Sequence, residues 1–203
     1  MKSNFLSDLA KEKQLSQLLD VYYNKHLKCY DFDRISSLKE QNLGIDIVLK
    51  HKNSKAIYFV DEKAQLDYIN ESLPTFAFEL FYEKKGVQKQ GWLFDDTKKT
   101  HFYALVTSIF SDVVHDEFTS CNITLVNRQK LIQHLASLGL TKTFFAALVE
   151  KRKDVHGKLE LEKLSCRNEG YLYFSTKNKA EKPINLILRL NYLIEIGVAK
   201  RLV

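Results

Sequence analysis

The chain has 203 residues, a net charge of +6, and 45% hydrophobic against 28% charged residues. That balance is ordinary for a globular domain and excludes collagenous, low-complexity and wholly disordered chains. Gly (7) and Pro (2) are too few for long flexible linkers, and no apolar run approaches the roughly 20 residues of a membrane span.

Residues 4–27 are predicted to form an amphipathic helix. Leu15, Leu18, Leu19, Tyr22 and Tyr23 share one half of a wheel turned 100° per residue, with Phe5, Leu9 and Leu27 on the same side. Glu12 is the odd residue, because it falls near the middle of that apolar arc. Residues 31–42 read as a polar connection with at most one short helical turn. Two strands follow, over 45–49 and 56–65. The turn-like His51-Lys52-Asn53-Ser54 between them makes a hairpin. Pro74 opens a third strand over 75–82. A polar connection over 83–100 contains Gly86, Gly91 and Trp92. Strands are expected over 101–109 and 121–126.

Asn127 then reads as the N-cap of a helix over 128–138 that Gly139 stops, and Thr141 as the cap of a helix reaching about Lys153. A hairpin is expected from 171–176 and 184–190, and a last helix or strand over 192–198. Strands mixed with helices in this order give an α/β or α+β fold.

Charge is unevenly spread. Residues 1–127 hold 16 Lys/Arg against 18 Asp/Glu, whereas residues 128–203 hold 15 against 7, a net +8. The expected division is a core over 1–126 and a basic helical and hairpin extension over 127–203, packed on the core. An excess of that size favours a polyanionic partner. Arg128, Lys130, Lys151, Arg152 and Lys153 are the candidates for phosphate contacts. The two helices around Gly139 also fit a helix-turn-helix, with the lysine-rich hairpin as a wing, or a plain helical layer over the sheet.

The chemistry sits in Gly44-Ile45-Asp46-Ile47 and in Asp61-Glu62-Lys63-Ala64-Gln65. Side chains alternate along a strand, so Asp61, Lys63 and Gln65 point one way and Val60, Glu62 and Ala64 the other. The hairpin can bring Asp46 beside Asp61. Two carboxylates about 4 Å apart repel by roughly 1 kcal/mol in water and roughly 4 kcal/mol near a protein surface. A divalent cation removes that repulsion, and aspartate oxygens suit Mg²⁺ or Mn²⁺. A neighbouring lysine can orient water and stabilise charge that develops on a phosphoryl group.

This pattern resembles the PD-(D/E)XK nuclease superfamily, the restriction-endonuclease-like fold. Its signature is an acid at the start of one strand and an acid-x-Lys on the next, with a helix before them. Asp46 matches the first acid and Asp61-Glu62-Lys63 the second element. Gln65 matches a polar residue often seen two positions after the lysine, and Glu12 is the candidate for an acid contributed by the first helix. Ile45 stands where the family usually has Pro. The resemblance covers roughly residues 4–110. It implies an α/β (α+β) fold with a central mixed β-sheet flanked by helices. It also implies cleavage of nucleic acid, usually DNA, that depends on Mg²⁺ or Mn²⁺. Asp46, Asp61 and Glu12 would be metal ligands, Lys63 and Gln65 the other catalytic residues, and Gln41 a phosphate contact or a turn cap. A homodimer would serve the two strands of a duplex.

Other signals are weaker. Glu79 on the third strand is a further ligand or an ion-pair partner for Lys63. His101, His115 and His134 lack metal-ligand spacing, and Cys29, Cys121 and Cys166 form no C-x-x-C pair. An odd, scattered cysteine set and the absence of a signal-peptide pattern fit a reducing cytoplasm, with no membrane partner. Two rival readings remain: a nucleic-acid-binding or assembly module that has kept the fold without the activity, and an α/β protein whose acids form a surface ion-pair network.

Overall fold

The apolar stripe of the first helix needs a surface to cover, and a six-stranded sheet supplies it. The computed structural model describes residues 5–112, 117–152, 155–177 and 181–203, with side chains from residue 11 onward. In chain order the elements are α1 (Phe5–His26), β1 (Tyr30–Arg34), α2 (Leu38–Gln41), β2 (Ile47–His51) and β3 (Ile57–Ala64). A 3₁₀ turn (Leu66–Tyr68), β4 (Thr75–Lys84), β5 (Val87–Gln90), β6 (Phe102–Asp112) and β7 (Glu117–Asn127) follow. The rest comprises α3 (Arg128–Ser137), α4 (Lys142–Glu150), β8 (Gly157–Leu159), β9 (Gly170–Phe174), β10 (Ile184–Arg189), α5 (Leu190–Glu195) and β11 (Ala199–Arg201).

The first sheet has the order β1-β2-β3-β6-β7-β11. It is mixed: β3 and β6 run parallel, and every other neighbouring pair is antiparallel. One face packs Ile47, Val60, Val106 and Ile123 against Leu15, Leu19 and Tyr23 of α1. The i, i+4 spacing of those helix residues lines them along one ridge. The side chains of Phe5 and Leu9 lie outside the described set.

The opposite face turns Tyr103, Leu105 and Val126 toward a second, antiparallel sheet of order β5-β4-β10-β9-β8. That sheet presents Phe76, Phe78, Leu80, Leu172, Leu186 and Leu188 to the shared core. Helices α3, α4 and α5 complete it with Leu131, Leu135, Phe145 and Leu193. The protein is thus mixed α/β with two sheets. A helix covers one face of the mixed sheet, and a sheet with three helices covers the other.

The predicted N-caps hold. Asn127 accepts the Lys130 N–H at 2.9 Å and Thr141 the Phe144 N–H at 3.2 Å, which satisfies first-turn donors of α3 and α4. The two helices meet at 65° and sink Leu131, Leu135, Phe145 and Val149 into the core. They act as a helical layer, and the hairpin expected to be a wing is β9–β10, at the heart of the second sheet. Among the described residues no single helix is long and apolar enough to cross a membrane.

Four strands go beyond the sequence reading, among them β11, which begins just past the last expected element. β1 lies in the supposed polar connection, with half-buried Tyr30 and Phe32 alternating with exposed acids. β5 returns on β4 through Lys85 and Gly86, at φ 54° and 75°, the backbone of a tight hairpin turn. β8 is a three-residue edge. Segments 1–126 and 127–203 interleave: β10 pairs with β4 in the second sheet, and β11 pairs with β7 in the first.

Candidate active site

Alternation along β3 divides its polar residues between two faces, and each face has its own partners. Glu62 faces α1. Its carboxylate accepts the Tyr23 hydroxyl at 2.8 Å and an Nη1–H of Arg34. Arg34 also donates through Nη2 to Asp20 at 2.6 Å, so α1, β1 and β3 are laced together on that side. Burial and the Glu62 charge push the Tyr23 hydroxyl pKa well up, which keeps it a proton donor.

Asp61 and Lys63 face the other way. Asp61 is only 2% exposed, and Lys63 Nζ lies 2.6 Å from its Oδ1. Asp46 immediately precedes β2, where its own N–H bonds the Val60 carbonyl at 2.9 Å. The Glu62 N–H donates to Asp46 Oδ2 at 2.7 Å. Both aspartates are thereby brought to one place. Burial, and then the Asp61 charge, push the Asp46 carboxyl up to about 7, against the pull of the Glu62 N–H and of Lys63. Two acids and an ammonium therefore share one pocket at the end of the β2–β3 hairpin.

The pocket opens into a cavity of about 720 Å³ whose lining includes Glu12, Arg34, Gln41, Asp46, Glu62 and Lys63. Glu12 is exposed on this rim and does not face the packed core as its wheel position suggests. The wheel direction is right, since Leu15 and Leu19 line the same cavity, but at Glu12 that direction meets open space. Gln41 is also on the rim, its amide donating to the Ile35 carbonyl at 3.0 Å. Gln65 has left the pocket. Its amide donates to the Thr75 carbonyl at 3.0 Å and ties the end of β3 to the start of β4.

A wall that the sequence reading missed closes the other side. Gly44 has φ 72°, and a Cβ there would stand 2.3 Å from Thr100 Oγ1 and 3.3 Å from Asp61 Oδ2. The Thr100 hydroxyl donates to the Gly44 carbonyl at 2.8 Å, and Lys98 Nζ donates to the Asn42 carbonyl at 2.8 Å. The Trp92 ring lies 5.6 Å from Lys63 Nζ. The one sequence signal for this wall was a Gly-Trp pair inside a polar connection. Glu79 borders it: its carboxyl is raised by burial and by Glu181, while Lys63 and the Trp92 N–H pull it down.

Among the described residues no three His, Cys, Asp or Glu side chains gather closely enough to ligate one ion together. Asp46 and Asp61 are a pair, and Glu12 and Glu79 stand apart from it. The pair still suits Mg²⁺ or Mn²⁺ by donor type. Its oxygens are hard, and the raised Asp46 carboxyl marks a site with too little positive charge for two carboxylates.

The basic candidates divide. Arg128 is half-buried and donates internally, from Nε to Tyr103 Oη at 3.0 Å and from Nη2 to the Asp95 carbonyl at 2.8 Å. Lys130, Lys151 and Arg152 are exposed. Lys153 and His115 lie outside the described residues. His101 Nδ1 accepts the Phe59 N–H at 2.9 Å, and His134 Nε2 bonds Tyr192 Oη at 2.7 Å. Cys29 is exposed, Cys121 buried and Cys166 intermediate, all as free thiols. Burial, and then Glu62, push the Cys121 thiol up to about 12, so it is a poor nucleophile.

Comparison with models of known protein families, with curated proteins and with solved structures gives no match.

Proposed function

We propose that this chain is a metal-dependent nuclease that hydrolyses phosphodiester bonds in nucleic acid, with DNA as the first substrate to test. The observation that supports it best is the clustering of Asp46, Asp61 and Lys63, with Asp46 and Lys63 lining an open cavity and Asp61 buried behind them. The order of elements agrees with the resemblance drawn from the sequence: a helix, an acid entering one strand, then acid-x-Lys on its antiparallel partner in a mixed sheet.

Asp46 and Asp61 would hold Mg²⁺ or Mn²⁺. Such an ion supplies charge neutralisation at the phosphate and lowers the pKa of a bound water. The chain's own residues do the rest. Asp61 fixes the Lys63 ammonium, which is placed to stabilise the negative charge that grows on the phosphoryl oxygens. The Glu62 N–H holds the Asp46 carboxylate in register with Asp61. Gln65 acts at one remove, joining the two sheets beneath the pocket. Lys130, Lys151 and Arg152 supply exposed positive charge for the backbone of a polyanion.

A second reading, a nucleic-acid-binding module without cleavage, takes its support from the lack of a third carboxylate beside the pair among the described residues. One experiment separates the two. The full chain is incubated with supercoiled plasmid and Mg²⁺ or Mn²⁺, beside Asp61→Asn. The nuclease reading expects nicking that needs the metal and vanishes in the variant while DNA binding persists. Binding without any metal-dependent nicking in the parent chain selects the second reading.

A further inference from the structure

We propose that Trp92 is a positioning residue for Lys63, its indole ring holding the lysine ammonium against Asp61. The proposal rests on the reading of Lys63 as the catalytic ammonium. A lysine side chain has four rotatable carbons, and among the described residues the one carboxylate in direct contact with this ammonium is Asp61, through Oδ1 at 2.6 Å, with Asp46 and Glu79 acting on it from farther off. A single ion pair fixes a distance but leaves the stem free to swing. The Trp92 ring, 5.6 Å from Nζ, supplies a second attraction from another direction, between a cation and the negative face of an aromatic system.

The ring is itself held. It packs edge-on to Tyr103 at 4.7 Å and lies 5.5 Å from Phe78. The Tyr103 hydroxyl donates to the Trp92 carbonyl at 3.3 Å and accepts from Arg128 Nε at 3.0 Å. Gly91 lets this segment lie against β4, because a Cβ there would stand 2.4 Å from the Glu79 carbonyl oxygen. A continuous line of contacts thus runs from Arg128 on α3 through Tyr103 and Trp92 to Lys63. It gives Arg128 and Trp92 a shared purpose that neither shows alone.

The test uses the full chain and three variants: Trp92→Phe, Trp92→Leu and Tyr103→Phe. Lysines are reductively methylated with ¹³C, and the Lys63 signal is assigned through Lys63→Arg. That signal should show a ring-current displacement in the parent and in Trp92→Phe and lose it in Trp92→Leu. With Mg²⁺ and plasmid, Trp92→Leu should lower kcat about tenfold with KM within about twofold, while Trp92→Phe stays within about threefold. Where Trp92→Leu fails to fold, Tyr103→Phe loosens the same wall and should reduce both the displacement and kcat by a smaller factor. A Lys63 signal indifferent to residue 92, or equal losses in the Phe and Leu variants, overturns the proposal. A parent chain that never nicks DNA but keeps the ring-dependent Lys63 signal overturns the nuclease reading and leaves the positioning role standing.

Discussion

The Glu62 N–H donates to Asp46 Oδ2 at 2.7 Å, while the Glu62 side chain points to the opposite face of the sheet and accepts from Tyr23 and Arg34. One residue therefore registers the acid pair with its backbone and anchors α1 with its carboxylate. Removing its side chain should disturb the two faces very unequally.

That inequality gives the first prediction. Arg34→Met leaves the Glu62 carboxylate, 14% exposed, without its cation and should destabilise the fold by about 3 kcal/mol. Adding Glu62→Gln should recover part of the loss, because a neutral amide leaves no unpaired charge there, while the backbone bond to Asp46 stays in both proteins. Denaturant titration of both proteins checks this; a double variant no more stable than Arg34→Met would count against the network.

Asp46 gives a pH dependence with a definite sign. Its carboxyl titrates at about 7 in the folded chain and near 4 when unfolded, so the folded state binds more protons between those values. The stability of the cation-free protein should therefore fall as pH rises from about 4 to 7 and level off above. Asp46→Asn should flatten that slope and stabilise the cation-free protein at pH 8 by on the order of 2 kcal/mol. Melting in EDTA at several pH values measures both effects. A wild-type slope equal to the variant's across that window rules out a raised Asp46 carboxyl as its source.

Gly44 tests the wall. Alanine there meets a positive φ of 72° and a Thr100 hydroxyl at 2.3 Å, so Gly44→Ala should cost at least about 2 kcal/mol. It should also crowd Asp61 Oδ2. Thr100→Ala relieves the first contact but gives up the hydroxyl's bond to the Gly44 carbonyl. The pair of variants should therefore couple in a double-mutant cycle of stability, and strict additivity would deny the contact.

The basic residues make opposite predictions. Arg128→Ala removes two internal hydrogen bonds, so it should lower the melting temperature and leave the salt dependence of DNA binding alone. Lys151→Glu with Arg152→Glu should do the reverse, flattening the salt slope by about one to two. Fluorescence anisotropy over a salt series distinguishes them, and an unchanged slope in the double variant places the DNA surface elsewhere.

What sequence could reveal follows from range. The Asp61/Lys63 versus Glu62 split needed only strand alternation, and the Asn127 and Thr141 caps needed only three residues each. β1 escaped because Asp31 and Asp33 hide the Tyr30–Phe32 alternation, and its strand character comes from pairing with β2. Glu12 misled because a helical wheel gives direction but not what lies there. Trp92, Lys98 and Thr100 could not be placed, since they reach the pocket from the far side through tertiary contacts spanning tens of residues.

The interleaving of the two sheets has a further consequence. A break near residue 127 takes β10 away from β4, baring Phe76, Phe78 and Leu80, and strips β11 from β7. The acidic half and the basic half are thus no exchangeable modules: neither could be transplanted onto another scaffold intact, and heating should melt both in a single cooperative step.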